Sequence, residues 1–225
     1  AMAGFDKLVN GIVEKINNIL CPEKSEVRNN PYMAPDGTEI QADIYTYNSV
    51  SQQVLFDRYG REVTGTDNGD GTYSFSSGEK LYMSFGGAEV PVDSYTYSML
   101  DMDKTGYGMD DDKTVGTELF SRKGTDRYIK TTDDSGKTIY IRNNLNETDY
   151  ESLYKLGNLQ INPEAAQNVG KIPLSTVQGK EDFDKAQELV DLWENKFASL
   201  NPEVYAKSDF NTYYTNFISE YATMG

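Results

Sequence analysis

The chain carries helical seams at both ends and β-type sequence between them, and that order limits the folds open to it. From Phe183 onward two apolar seams repeat at helical spacing. In the first, Phe183, Ala186, Val190, Trp193, Phe197 and Leu200 alternate the threes and fours of a heptad. In the second, Phe210, Tyr214, Phe217, Tyr221 and Met224 do the same, widened by Tyr213 and Ile218. Asn201-Pro202 separates the two, because proline pushes the residue before it out of the helical region. Ser208 is the expected N-cap of the last helix, with Asp209 in its first turn. A helix over residues 5–20 opens the chain on Phe5, Leu8, Val9, Ile12, Val13, Ile16, Ile19 and Leu20, and Pro22 stops it. Stripes this narrow need neighbours, in the same bundle or in an adjacent subunit. The last seam reaches Gly225 without a stop signal, so the chain is expected to be the middle piece of a longer bundle-forming protein.

Between these ends the hydrophobic period falls to two. Residues 22–37 are polar and turn-rich and serve as the crossing into a second domain. Short strands are expected at 44–47, 53–56, 62–64, 73–75, 80–85 and 94–98. Asn68-Gly69 supplies the positive φ of a tight turn. The clearest hairpin pairs 127–130 with 138–141 across Asp133-Asp134-Ser135-Gly136. Residues 143–180 have little regular pattern, and neither a long-period repeat nor a low-complexity tract is apparent. The expected fold class is therefore α+β. A discontinuous helical domain takes 1–23 and 151–225, and a mainly antiparallel β domain of one or two lobes is inserted at 24–150.

Composition excludes several function classes. Lys plus Arg number 21 against 36 Asp plus Glu, a net charge of −15, which repels nucleic acid and anionic lipid. There is no histidine, so the commonest general base and metal ligand are missing, and with them the Ser-His-Asp triad. The single cysteine, Cys21, rules out an internal disulfide and a multi-cysteine zinc site; it is expected to be a structural thiol. No run approaches the roughly 18 apolar residues of a membrane helix. Ala1-Met2-Ala3-Gly4 resembles a cloning scar.

The candidate sites are few. Asp101, Asp103, Thr105 and Gly106 fit the opening of a calcium loop, but position 12 is Asp112 rather than Glu and position 8 is Gly108, so a solvated acidic loop over 101–112 is the favoured reading. Asp67, Asn68 and Asp70 are explained by turn chemistry. Asp110-Asp111-Asp112 is a charged loop tip, and Asn146-Glu147-Thr148 matches a glycosylation sequon. Trp193 lies on the seam and is expected in the core. Tyr45, Tyr47, Tyr95 and Tyr97 alternate along two strands; ordinary cross-strand pairing is the favoured reading, and a carbohydrate-stacking face is the alternative. No catalytic residue, cofactor or metal is assigned.

Three segments resemble the flagellar hook-associated protein 1 family, the hook–filament junction protein. F-D-K-L-V-N-G-I-V-E-K-I-N-N-I-L at 5–20, with Asn17 near its end, is similar to the family's central helix. L-Q-I-N-P-E at 159–164 and K-I-P-L-S at 171–175 resemble its re-entry from an inserted β domain. S-D-F-N-T-Y-Y-T-N-F-I-S-E-Y-A-T-M-G at 208–225 is similar to the opening of its long C-terminal helix. The resemblance implies a non-enzymatic structural component of the bacterial flagellum, extracellular and exported without a cleaved signal peptide. It implies assembly through the helical domain, with other copies of the chain, the hook protein and the next hook-associated protein as partners. No nucleic acid, membrane or small-molecule substrate is implied. The family's N-terminal helical signature and C-terminal coiled-coil tail do not occur in this sequence. A secreted or surface-exposed binding module, for carbohydrate or adhesion, is the alternative.

Overall fold

A computed structural model describes residues 2–143 and 153–192, together with 209, 211, 212, 215 and 219. Its elements are α1 (Met2–Leu20), β1 (Glu23–Arg28), β2 (Ile44–Val50), β3 (Val54–Phe56), β4 (Glu62–Thr64), β5 (Thr66–Asp67), β6 (Tyr73–Ser77), β7 (Ser94–Leu100), β8 (Phe120–Arg122), β9 (Tyr128–Thr132), β10 (Thr138–Arg142), β11 (Leu159–Ile161), α2 (Pro163–Gln167) and α3 (Phe183–Asp191). The fold is α+β: α1 and α3 contact each other, and an antiparallel sheet region lies between them in the chain.

The chain divides into two compact units. One takes the described residues of Ala1–Pro22, Asp101–Arg127 and Leu145–Gly225; the other takes Glu23–Leu100 and those of Tyr128–Asn144. Residues 101–127 lie inside the stretch read as the β insertion, yet they cluster with the helices. Backbone bonds draw them there: Asp101 N–H donates to Pro22 O at 2.8 Å and Gly106 N–H to Leu20 O at 2.7 Å.

In the helical unit α1 buries Leu8, Val13 and Leu20, as its spacing requires. It also buries Asn17. The last carbonyls of a helix lack intrahelical partners. Here Ile19 O accepts from Lys185 Nζ at 3.0 Å, placing a cation at the negative end of the helix dipole. That bond corrects the expected role of the first seam. Lys185 and Leu192 are buried, whereas Phe183 and Val190, at 74% and 64% exposure, face outward with Ala186. The rest of that seam, Trp193 included, lies outside the described residues, as do Ser208 and Asn146. Asp209 accepts from Thr212 N–H at 2.9 Å, the bond pattern of an N-cap.

In the β unit a seven-stranded sheet runs β5-β6-β2-β7-β10-β9, with β1 also paired to β7. Strand β1 was not expected: E-K-S-E-V-R has one apolar residue and no alternation, and it forms because β7 offers it a full register from Glu23↔Leu100 to Arg28↔Tyr95. Residues 80–85, expected as a strand, form only the bridges of Tyr82 with Phe56 and Glu89 within a loop. The hairpin of β9 and β10 holds as expected, turning at Gly136 with φ of 83°.

The unit also contains the repeat that the sequence does not make apparent. Residues 37–50 and 87–100 lie fifty positions apart and share Gly37/Gly87, Glu39/Glu89, Asp43/Asp93, Tyr45/Tyr95, Thr46/Thr96 and Tyr47/Tyr97. They are related by a local two-fold between β2 and β7, whose register is Ile44↔Thr96, Tyr45↔Tyr95 and Thr46↔Ser94. Asp43 N–H donates to Thr96 O at 2.8 Å, and Asp93 N–H to Thr46 O at 2.9 Å. Ser98 N–H donates to the Asp43 carboxylate, and Asn48 N–H to that of Asp93. Each copy is preceded by a tight loop, closed by Gly37 N–H to Ala34 O and by Gly87 N–H to Ser84 O. The second loop is one residue longer, since Met83 bonds Ala88 where Ala34 bonds Thr38.

Candidate functional site

The tyrosines singled out in β2 and β7 point into the core. Tyr45, Tyr47, Tyr95 and Tyr97 are all buried, so none offers a ring face to a sugar, and the stacking-face alternative fails at these residues. Tyr45 and Tyr95 meet edge to face at 5.7 Å. A buried phenol needs a hydrogen-bond partner. The partners come from the irregular loops over the sheet, whose backbone would otherwise be stranded. Tyr47 hydroxyl accepts from Leu81 N–H at 2.8 Å. Tyr97 hydroxyl accepts from Tyr32 N–H at 3.1 Å and lies 3.3 Å from Ile40 O. Tyr45 hydroxyl accepts from Ala42 N–H at 3.2 Å. Phenylalanine would fill the same space and leave these groups unsatisfied, which accounts for tyrosine at positions 45, 47 and 97.

The acidic run 101–112 is folded on itself. Asp101 is buried; its carboxylate accepts from Asp103 N–H at 3.2 Å and its carbonyl from Thr105 N–H at 2.8 Å. Thr105 Oγ1 donates to Gly116 O at 2.6 Å. Gly106 is required by crowding rather than by a calcium loop: a Cβ there would meet Pro173 O at 2.0 Å. Asp110 accepts from Thr114 Oγ1 at 2.6 Å and Thr114 N–H at 2.9 Å, and these two bonds hold its carboxyl below the usual range. Asp67 and Asp70 likewise accept from Gly69 and Thr72 N–H groups in their turn. Among the described residues no group of three or more His, Cys, Asp or Glu side chains could hold a metal ion. No described helix is long and apolar enough to cross a membrane.

The densest polar construction surrounds Asn17 in the helical unit. Its Oδ1 accepts from Leu119 N–H at 2.9 Å and Phe120 N–H at 3.1 Å; its Nδ2 donates to Phe120 O at 2.9 Å and to Tyr154 hydroxyl at 3.3 Å. Every donor and acceptor of the amide is thereby used. Two turns earlier on α1, Asn10 Oδ1 accepts from Tyr154 N–H at 2.9 Å. Tyr154 hydroxyl in turn donates to Glu118 at 3.1 Å. Strand β8 pairs with β11 through Phe120↔Ile161 and Leu159↔Arg122. Next in the chain, Asn162 caps α2, with Pro163 at its first position.

No family model, curated protein or solved structure matches the chain.

Near the end of α1, Cys21 is buried beside Thr105, and burial pushes its thiol up to about 12, the pattern of an inert structural cysteine. The arrangement around Asn17 therefore aligns and holds backbone segments. Residue spacing singles out Asn17 but not Asn10 or Lys185; an asparagine seven residues before Asn17 on the apolar face of α1 is the signal that marks Asn10, and no such signal marks Lys185.

Proposed function

We propose that this chain is a structural component of the bacterial flagellum, an extracellular adaptor at the hook–filament junction that assembles through its helical unit. One observation carries the reading. Segments 5–20, 159–164 and 171–175, far apart in sequence and each similar to the hook-associated protein 1 family, gather in one compact unit. There α1 holds β8 through Asn17, and β8 pairs with β11. A subunit of a tube wall needs a rigid frame and outward helix faces for its neighbours. The Asn17 clamp supplies the first, and Phe183 with Val190 on α3 supplies the second. Its partners are other copies of itself, the hook protein and the next hook-associated protein, and its role is mechanical.

Immunogold labelling of sheared flagella from the source bacterium, with antibody raised to this chain, tests the proposal. Label confined to the boundary between hook and filament is the expected result. Label on the cell body, or absent from flagella that stain normally for filament, would overturn it.

A further inference from the structure

We infer that the β unit is a fused dimer: residues 37–50 and 87–100 are two copies of one motif whose inner strand recognises a second copy of itself. Each bond that Asp43 makes from copy one to copy two is returned by Asp93. Asp43 bonds Thr96 and Ser98, and Asp93 bonds Thr46 and Asn48. Such reciprocity, in which i contacts j and j contacts i, is the mark of an isologous interface between identical subunits.

The flanking strands extend the relation. Outer strand β1, on the chain before copy one, pairs with β7 of copy two, and β6, before copy two, pairs with β2 of copy one. Each half thus lays its outer strand against the other half's inner strand. The phenols follow the same exchange: Tyr97 bonds Tyr32 N–H, and Tyr47 bonds Leu81 N–H. Tyr32 and Leu81 occupy equivalent places, since their carbonyls accept from Ile40 N–H and Val90 N–H, each at 2.9 Å.

Chance convergence does not account for this set. A shared Tyr-Thr-Tyr arises readily in any strand, but an aspartate two residues before it, bonding the same atoms of the opposite copy in both directions, requires one motif used twice. The partner this surface fits is therefore another copy of the motif. The covalent connection of residues 51–72 supplies that partner in cis at high effective concentration.

The test makes the copies identical in the full chain. Substitutions A88T, V90I, P91Q, V92A, S94I and S98N give positions 87–98 the sequence of 37–48; a control carries the same six new side chains permuted among the same positions. Equivalent copies keep the symmetrised chain folded, with the far-ultraviolet circular dichroism of the parent and a melting temperature within a few degrees of it, while the control melts well below both. A symmetrised chain that melts with the control overturns the inference. Amide exchange on the unaltered fold gives a second reading. Asp43→Asn should deprotect the Ser98 amide by the same factor as Asp93→Asn deprotects that of Asn48, and unlike factors count against equivalence.

Discussion

Asp43 and Asp93 exchange roles across the centre of the sheet, each taking a backbone N–H from the strand that the other precedes. A carboxylate bonded to a backbone N–H forms a charge-assisted bond, stronger than a neutral one. Each aspartate also starts its strand with its own N–H, bonded to Thr96 O or Thr46 O. Asp43→Ala and Asp93→Ala should each lower stability by about 1.5–3 kcal/mol. Urea unfolding measures this, and the two variants should share one midpoint at unchanged slope. A loss confined to one of them would show that the two sites are not equivalent.

Removing a phenol oxygen isolates what the tyrosines do beyond filling space. Tyr47→Phe and Tyr97→Phe keep the ring and leave the N–H groups of Leu81 and Tyr32 without their acceptors. A buried group left unsatisfied costs about 1–3 kcal/mol. The expected result is a lower urea midpoint for both, with slower-exchanging amides at Leu81 and Tyr32 becoming fast. A neutral outcome at Tyr47 would mean that the loop over residues 81–90 finds another acceptor.

The same burial fixes the response to alkali. Tyr97 is raised from its ordinary 10.0 to about 12 by burial. Burial, followed by the bond to the Glu26 carboxylate, brings Tyr32 to about 12, and burial raises Tyr47 as well. A phenol that keeps its proton longer in the folded state weighs against that state once the unfolded chain begins to lose protons. The stability these groups contribute is fully present below the unfolded value of 10.0 and is lost as pH rises through about 12. Tyrosinate absorbance during alkaline titration should show an early exposed class, then a late class that appears together with the loss of sheet circular dichroism. Ionisation of the late class with the sheet intact would contradict the burial described.

How much of this was written in the sequence depends on the kind of signal. Alternation placed β2, β7 and the β9–β10 hairpin, and three-four spacing placed α1, because each has one face against a core. Strand β1 was invisible because its partner, not its composition, makes it a strand. The repeat was hidden by outer strands E-K-S-E-V-R and Y-S-F-S-S that share no pattern, and by one extra residue in the second loop. The motif D-x-Y-T-Y at 43–47 and 93–97, six residues after a glycine each time, was its one legible trace. Lys185 escaped notice because its partner is a carbonyl of α1, and spacing rules weigh side chains only.

Cys21 offers a direct probe of the helical unit. Its thiol is buried and pushed up to about 12 by desolvation, with Thr105 as hydrogen-bond partner. Only thiolate reacts with alkylating reagents. Folded protein should therefore resist iodoacetamide at neutral pH and react fully in denaturant, as intact-mass spectrometry reads out. Rapid labelling of native protein would show that the end of α1 opens readily.

The Asn17 clamp predicts the largest single effect. Asn17→Ala removes the one acceptor shared by the Leu119 and Phe120 N–H groups and the donor to Phe120 O, at a position with no exposure to water that could replace them. With more than one buried group stranded, the loss should be about 3 kcal/mol or more. Asn17→Asp keeps Oδ1 for the two N–H groups but turns the donor toward Phe120 O into an acceptor, so it should also destabilise, and more at neutral pH than in acid, where a protonated carboxyl can donate again. Cys21 reports the result locally: both variants should speed its alkylation, and for Asn17→Asp the urea midpoint should recover as pH falls. An Asn17→Ala protein with the parent's midpoint and an unreactive Cys21 would show that α1 is held by its apolar face alone.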